Sequence, residues 1–215
     1  MQEITHIPFA AYIGASSSIV VVAVGVWRYS ALRPEIKVLL GFLALSLALN
    51  AISLYLALRG INNLWLYHIV TLLEFTALVL VLSAWEKRQR RMFFFRLIAA
   101  GFFVVWLMAK IFVENLRQFD SYSSSLSSVL LVGGSCYFLW MLSQESLFKP
   151  HRDFRFWVLA AVLVDHSTRI LLYALSNVIL IFPMEDVAKL WSYQWIVATI
   201  ANGLFLGSFL CKQSQ

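Results

Sequence analysis

Four ionisable side chains lie in the middle of long apolar stretches of this chain. Glu74 is near the centre of one stretch, and Asp165, His166 and Arg169 lie together in another. An ionisable group inside a membrane span costs roughly 2.5–3.5 kcal/mol on insertion scales, so it faces the interior of a helix bundle or a cavity. Carboxylates, an imidazole and a guanidinium in such a place could bind a proton, an ion or a polar solute.

Helical spacing adds further polar side chains to these four. His68 and Thr71 occupy the two turns before Glu74 and form a skewed polar stripe with it. Asp165 and Arg169 are four residues apart, so they share one helix face. Together these positions predict a ligand-binding pocket formed by four helices. Its residues are Asn50, His68, Thr71, Glu74, Asp165, His166, Arg169, Tyr173, Gln194 and Asn202.

A structural role for the same residues is the competing interpretation. Asp165 and Arg169 could neutralise each other as a fixed ion pair, and Glu74 could be held by Asn50 or Asn202. Interhelical polar contacts of this kind contribute about 0.6 kcal/mol on average, so they would favour packing without creating a binding site. Both interpretations stay open, although four ionisable groups exceed what helix packing requires.

Polar residues near the fourth and fifth stretches are expected to be structural. Lys110 lies four residues before Glu114, close to the end of an apolar stretch, and its long side chain should snorkel to the membrane interface. The serine run 123–128 should provide a helix cap and small-residue packing. A nucleophilic serine would need a base within reach, and the neighbouring sequence supplies none.

No resident cofactor or metal is expected. A retinal Schiff base would need a lysine in the middle of the last stretch, and Lys212 lies at its very end. The chain has 2 cysteines, Cys136 and Cys211, in different stretches, so neither a cysteine metal site nor a disulfide is predicted.

An intramembrane metal-dependent hydrolase is nevertheless the third functional alternative. Seven-span hydrolases of that kind use three histidines and an aspartate, whereas this chain has two histidines within its apolar stretches and no His-x-x-x-His pair. A zinc site would have to be built from His68, Glu74, Asp165 and His166, which is stereochemically feasible.

Seven apolar stretches must position these residues. They lie at roughly 8–27, 35–58, 64–85, 93–113, 122–144, 155–181 and 188–211, each long enough to cross a bilayer as a helix. Of the 215 residues, 61% are hydrophobic and 13% charged, whereas about a quarter are charged in soluble domains. The sequence therefore predicts an all-α polytopic membrane protein, a single seven-transmembrane-helix bundle over residues 1–215. The loops are too short for a soluble nucleotide-binding or nucleic-acid-binding domain.

Loop charges predict the topology of this bundle. Basic residues are abundant after the first, third, fifth and seventh stretches: Arg28, Arg33, Lys37, Lys87, Arg88, Arg90, Arg91, Arg96, Lys149, Arg152, Arg155 and Lys212. The opposite side has Arg59, Arg117 and Lys189. Because basic loops resist translocation, the N-terminus is predicted outside and the C-terminus inside, in the cytoplasmic (inner) membrane. The net charge of +6 then reflects topology and contact with anionic lipid, and no nucleic-acid partner is expected.

Sequence echoes predict an internal repeat. The pair Arg33-Pro34 before the second stretch is echoed by Lys149-Pro150 before the sixth, and segment 64–68 is echoed by 190–194. These matches suggest a parallel 3+1+3 duplication with the fourth helix as linker. The pattern resembles small sugar and vitamin transporters, but all 4 prolines lie at stretch edges, so the proline tetrad of those families is missing.

A local resemblance points to the same kind of protein. The segment Asn62–Phe75 (NNLWLYHIVTLLEF) resembles a stretch of small uncharacterised seven-helix integral membrane proteins of Bacteroidota. The resemblance covers roughly the middle third of the chain. It implies a seven-helix membrane protein and brings no known activity.

Two functions from different classes fit these features. In the first, the protein is a sensor, receptor-like or adaptor protein whose outward-facing polar pocket binds a ligand. It would signal to a separate partner through the basic inner loop 87–96. In the second, it transports a small polar solute, with a proton as one candidate coupling ion. The lack of internal prolines favours the sensor, and the repeat favours the transporter. Gly203 and Gly207, spaced as Gly-x-x-x-Gly, should pack closely within the bundle or form a homodimer interface.

Overall fold

Long α-helices account for nearly all of the structure. The computed structural model describes residues 9–145, 149–179 and 181–211, which contain eight α-helices, two short 3₁₀ helices and no β-strand. The helices are α1 (Phe9–Trp27), α2 (Pro34–Leu58), α3 (Leu64–Trp85), α4 (Gln89–Phe112), α5 (Ser121–Ser143), α6 (Phe154–Ala174), α7 (Ser176–Ile179) and α8 (Met184–Leu210). All but α7 are long and apolar enough to cross a membrane. The all-α fold with seven candidate spans is confirmed, and it indicates a multi-pass membrane protein.

The helix ends agree with the predicted stretches to within about four residues, except in the sixth. One helix is predicted over 155–181, but α6 ends at Ala174 and a short α7 follows. Ser176 Oγ donates to the carbonyl oxygen of Tyr173 at 2.9 Å, and Asn177 Nδ2 donates to Ser121 Oγ at 2.8 Å. Such side-chain bonds compete with helical ones, so they account for the break. The prediction of one continuous helix was wrong, and residue 180 lies outside the described residues.

Prolines lie at helix edges, as the sequence predicts. Pro34 lies in the first turn of α2, Pro150 opens a 3₁₀ helix, and Pro183 is the N-cap of α8. Proline is tolerated at these positions because the first amides of a helix have no intrahelical partner. Pro8 and Lys212 lie outside the described residues.

A tight turn joins α2 to α3. Gly60 has φ +70°, a left-handed conformation that glycine adopts without strain, and Ile61 N donates to the carbonyl oxygen of Leu56 at 3.0 Å. Asn63 Nδ2 then donates to Ser53 Oγ at 2.7 Å. This turn fixes the start of α3 beside the end of α2, and Asn63 lines the cavity described below.

Six helices form a closed ring, and α4 lies outside it. Going round the ring, α1 contacts α2, α2 contacts α3, α3 contacts α5, α5 contacts α6, α6 contacts α8, and α8 returns to α1. The fourth helix packs against α3 and α5 and buries one residue, Phe102, among those described. From Leu97 to Ala109 the rest of its surface is apolar and suits contact with lipid. The direction of the chain across the membrane and the internal duplication stay predictions.

One end of the ring is tightly packed. Leu39 and Phe209 are fully buried there. Gly207 lies against Trp157, since a Cβ on this glycine would be 3.0 Å from the indole ring. A Cβ on Gly203 would have no atom within 4 Å. Close packing within the bundle is therefore confirmed for Gly207 and was wrong for Gly203, and a homodimer through these glycines stays a prediction.

Candidate functional site

A cavity of about 500 Å³ lies inside the ring, between α1, α2, α3, α6 and α8. Leu64, Tyr67, Val70, Glu74 and Leu78 line it from α3. These residues are three or four apart, so they form one face of the helix. At 1.5 Å per residue the face runs for about 21 Å, from the α2–α3 turn to beyond the middle of the helix.

An ion network joins α3 to α6 in this cavity. Arg169 Nη1 donates to Glu74 Oε2 at 2.7 Å, and Arg169 Nη2 lies 2.7 Å from Asp165 Oδ2. Gln194 Nε2 from α8 donates to Asp165 Oδ1 at 3.1 Å. His166 lies behind the network, with Nε2 3.8 Å from Glu74 Oε1. The guanidinium therefore bridges two carboxylates that come from different helices, and the predicted Asp165–Arg169 pair is one half of that bridge.

The network carries more negative than positive charge. Two carboxylates, Glu74 and Asp165, face one guanidinium, that of Arg169, which gives a formal net charge of −1 for the three groups. The Oε1 atom of Glu74 has no hydrogen bond to a described residue, although its side chain lines the cavity. An unbalanced charge in a membrane interior is costly, so the site favours a cation beside Glu74.

The remaining predicted polar residues of the cavity have other roles. Asn50 and Tyr173 line the cavity. Asn202 Nδ2 donates to Ser17 Oγ at 2.9 Å and to Ser18 Oγ at 3.0 Å, which joins α8 to α1. The expectation that Asn50 or Asn202 holds Glu74 was wrong, because Arg169 makes that contact.

Aromatic rings surround the end of the cavity nearest the α2–α3 turn. Phe119 stacks on Trp191 with ring centroids 5.3 Å apart, and Tyr173 meets Trp191 edge-on at 5.7 Å. Trp195 also lines the cavity, and its ring occupies the space beside Gly14. The sequence prediction included Tyr173 but missed Phe119, Trp191 and Trp195. On α8 the available signal was spacing, since positions 191, 195, 198, 202 and 205 share one helix face.

His68 and Thr71 do not line this cavity. His68 is fully buried on another face of α3, with Nδ1 3.6 Å from Asp120 Oδ1 and Nε2 3.1 Å from the carbonyl oxygen of Gln118. Thr71 is buried on the same side of the helix, where it helps to lower the pKa of Asp120. The predicted stripe of His68, Thr71 and Glu74 was therefore wrong, because the first two residues belong to a separate group.

That separate group, the Lys110 cluster, comprises His68, Thr71, Lys110, Glu114, Asp120 and Ser123. Lys110 Nζ donates to Glu114 Oε2, to Asp120 Oδ1 at 2.9 Å and to Ser123 Oγ at 3.1 Å. Its side chain is 7% exposed, so the prediction that Lys110 snorkels to the interface was wrong. The lysine is a buried counter-ion that holds the α4–α5 loop against α3 and α4.

Two carboxyl groups of the Lys110 cluster respond differently to burial. Burial by itself would raise the pKa of Glu114, but hydrogen bonds from Lys110 and Ser123 lower it to about 2. Glu114 Oε1 also accepts the backbone amides of Tyr122 at 2.6 Å and Ser123 at 2.9 Å, at the start of α5. Burial raises the pKa of Asp120, and the charge of Lys110 only partly offsets that effect.

Serines of the run 123–128 connect α5 to both ion clusters. Ser123 Oγ donates to Glu114 Oε2 at 2.7 Å, and Ser128 Oγ lies 3.2 Å from His166 Nδ1. Ser125 Oγ donates to the carbonyl oxygen of Ile170 at 3.3 Å. The run therefore supplies polar contacts to α4 and α6, which goes beyond the predicted cap and small-residue packing.

Two groups of side chains have the spacing of metal ligands among the described residues. One consists of His68, Glu114 and Asp120, and the other of Glu74, Asp165 and His166. The alternative of one zinc site built from His68, Glu74, Asp165 and His166 does not hold, because His68 belongs to a different group from the other three. In each group a side-chain cation already bridges the carboxylates, Lys110 in the first and Arg169 in the second.

Comparisons of this chain with protein-family models, with curated proteins and with solved structures give no match. Function is therefore argued from the chemistry of the cavity and of the side chains that line it.

Proposed function

We propose that the protein is a receptor-like sensor of the bacterial inner membrane that binds a small amphipathic cation in the central cavity. The observation that carries this proposal is the combination of a cavity of about 500 Å³ with a net negative ion network on its wall. Binding would shift the packing of the ring helices. A separate protein would receive the signal at the end that carries the basic segment 87–96, on the cytoplasmic side.

The cavity suits a ligand with an apolar body and a cationic head. Small-molecule sites usually enclose about 300–1,000 Å³, with mainly apolar walls and a few polar groups that fix orientation. Here Trp191, Trp195 and Phe119 supply apolar surface, and Glu74 Oε1 supplies an acceptor for an ammonium N–H. An anionic ligand would add to an existing negative charge, whereas a monocation would neutralise the network.

The packing of the ring favours a sensor over a transporter. At the end opposite the α2–α3 turn, Leu39, Leu159 and Phe209 are fully buried. These residues close the ring below the cavity, and Gly25 packs there against Leu40 and Phe209. In a transporter, this packed end of the ring would have to open to let the solute through. No proline interrupts the described spans to supply a hinge for that movement.

Binding of tryptamine to the purified protein tests the proposal. Tryptophol has the same indole ring with a neutral hydroxyl, and indole-3-acetate has it with a carboxylate. We expect tryptamine to bind by isothermal titration calorimetry and the two analogues to bind at least about tenfold more weakly, a difference of about 1.4 kcal/mol. Unit charges about 4 Å apart in a partly buried site interact by about 4 kcal/mol, so this difference is well within reach.

Glu74→Gln should reduce tryptamine affinity by a similar factor, because it removes the negative charge that attracts the ammonium group. Glu35→Gln is the matched control: Glu35 lies 2.9 Å from Arg33 at the start of α2 and does not line the cavity. Equal binding of tryptamine and tryptophol, or equal affinity of the two variants, would refute the cation site. If proteoliposomes accumulate tryptamine and Glu74→Gln abolishes that accumulation, the protein is a transporter and the sensor proposal is refuted.

A further inference from the structure

A second cavity of about 520 Å³ lies outside the ring, between α3, α4 and α5. Its walls are apolar except near one end, and Phe94, Leu130 and Trp140 line it while being 58%, 41% and 62% exposed. The cavity is therefore a groove that opens onto the lipid-facing surface of the bundle. It shares no lining residue with the central cavity.

The length of the groove matches one leaflet of a bilayer. On α5 its lining residues extend from Leu130 to Trp140, which is about 15 Å at 1.5 Å per residue. The hydrocarbon core of a bilayer is about 30 Å thick, so one leaflet contributes about half of that. An acyl chain is the apolar group that a membrane offers at this depth.

One basic side chain stands at the end of the groove. Arg91, in the first turn of α4, is the charged residue among those that line it. Its Nη1 donates to Tyr137 Oη at 2.8 Å and lies 3.8 Å from Glu86 Oε2. A guanidinium has five N–H donors, and the contacts of Arg91 with described residues all use Nη1. The other donors are free to bind a phosphate oxygen.

The surrounding charge also suits an anionic head group. Lys87, Arg88, Arg90 and Arg96 flank Arg91 within the same connection and the start of α4. Basic residues at such a membrane boundary attract anionic lipid, by about 1 kcal/mol for each one near the surface. Arginine also binds phosphate in a bidentate geometry, which distinguishes it from a diffuse positive surface.

We propose that this groove is a binding site for an anionic phospholipid. One acyl chain lies between α4 and α5, with its phosphate on Arg91. Packing around Gly134 is part of the site, because Gly134 lines the groove and its missing side chain leaves room beside Leu82. This inference is independent of any ligand in the central cavity.

Native mass spectrometry of the full-length protein, titrated with dioleoylphosphatidylglycerol or dioleoylphosphatidylcholine, tests the site. The phosphatidylglycerol should bind about tenfold more tightly, which corresponds to about 1.4 kcal/mol. Arg91→Gln should remove that preference. Arg90→Gln is the matched control, since Arg90 is the neighbouring exposed residue and does not line the groove.

Gly134→Leu should fill the groove and reduce the binding of both lipids. Gly133→Leu is its control: Gly133 is exposed, does not line the groove, and a Cβ there meets no atom within 4 Å. Arg91→Gln gives a readout that does not depend on how Gly134→Leu folds. Equal binding of the two lipids to the parent protein, or an equal effect of Arg90→Gln and Arg91→Gln, would show annular lipid only and overturn the proposal.

Discussion

Lys110→Met removes the positive charge of the Lys110 cluster while keeping most of the side-chain volume. The side chains of Lys110, Glu114 and Asp120 are 7%, 3% and 0% exposed, so water has little access to replace the ammonium group. Breaking a buried ion pair by removing one partner costs about 3–5 kcal/mol, because the opposite charge stays uncompensated. At roughly 2–4 °C per kcal/mol for a chain of this size, we expect Tm to fall by about 6–20 °C.

Lowering the pH should reduce this cost. Burial raises the pKa of Asp120, and a group whose pKa is raised in the folded state adds stability as the pH falls through that pKa. Burial by itself would raise the pKa of Glu114, but hydrogen bonds from Lys110 and Ser123 lower that pKa to about 2. Its contribution is thus present above the ordinary value of 4.5 and is lost as the pH falls toward 2. Without Lys110 both pKa values should rise, so acid should stabilise the variant relative to the parent.

Thermal unfolding in detergent, followed by tryptophan fluorescence at about pH 7 and pH 5, measures both effects. The triple variant Lys110→Met, Glu114→Gln, Asp120→Asn removes all three charges and should regain most of the lost stability. Lys87→Met is the matched control, because the Lys87 side chain is 85% exposed and its loss should cost less than about 0.5 kcal/mol. The reasoning would be refuted if Lys110→Met lowered the free energy of unfolding by less than about 1 kcal/mol, or if the difference in Tm between variant and parent were as large at pH 5 as at pH 7.

Two further predictions concern helix packing and pH. Gly207→Leu should lower Tm strongly because its Cβ would lie 3.0 Å from the Trp157 ring, whereas Gly203→Leu meets no atom within 4 Å and should leave Tm nearly unchanged. Hydrogen bonds from Arg155 lower the pKa of Glu145, so this pair stabilises the fold above the ordinary pKa of 4.5 and loses that effect as the pH falls below it. Since the Glu145 side chain is 39% exposed, Glu145→Gln should lower the free energy of unfolding by less than about 1 kcal/mol at pH 7 and leave it unchanged at pH 3, as measured by thermal unfolding.

Much of the fold could be predicted because membrane helices are read from local composition. A run of about 20 apolar residues must be helical in lipid, since every backbone amide has to find its partner within the segment. The end of α6 at Ala174 could not be predicted in this way. Asn177 and Ser176 end the helix through contacts that include Ser121, on a distant part of the chain. Composition alone does not reveal such a contact.

The candidate site could be predicted for those residues whose charge alone requires a partner inside the bundle. Glu74, Asp165 and Arg169 stand out because ionisable groups in a span need partners. The assignment of His68 to the same site failed for a geometric reason. A helix turns by about 100° per residue, so six residues separate His68 from Glu74 by about 120° around the axis. That angle is large enough to place the two side chains in different parts of the bundle.

The Lys110 cluster was missed because two of its members belong to a loop. Glu114 and Asp120 follow the end of α4, and their positions depend on how residues 113–120 fold back onto α3. The i,i+4 spacing of Lys110 and Glu114 was the available signal, since oppositely charged residues at that spacing are neighbours on a helix. Reading Lys110 as a snorkelling side chain assumed that it pointed along the helix toward water.

The two ion clusters share a composition and differ in their surroundings. Each places one side-chain cation between two carboxylates, with a histidine alongside, so each carries one carboxylate in excess. The Lys110 cluster is closed, since the side chains of Lys110, Glu114 and Asp120 are 7%, 3% and 0% exposed. The network around Arg169 borders a cavity of about 500 Å³, which leaves room for a cation beside Glu74. Access rather than charge therefore distinguishes the closed Lys110 cluster from the proposed binding site around Arg169.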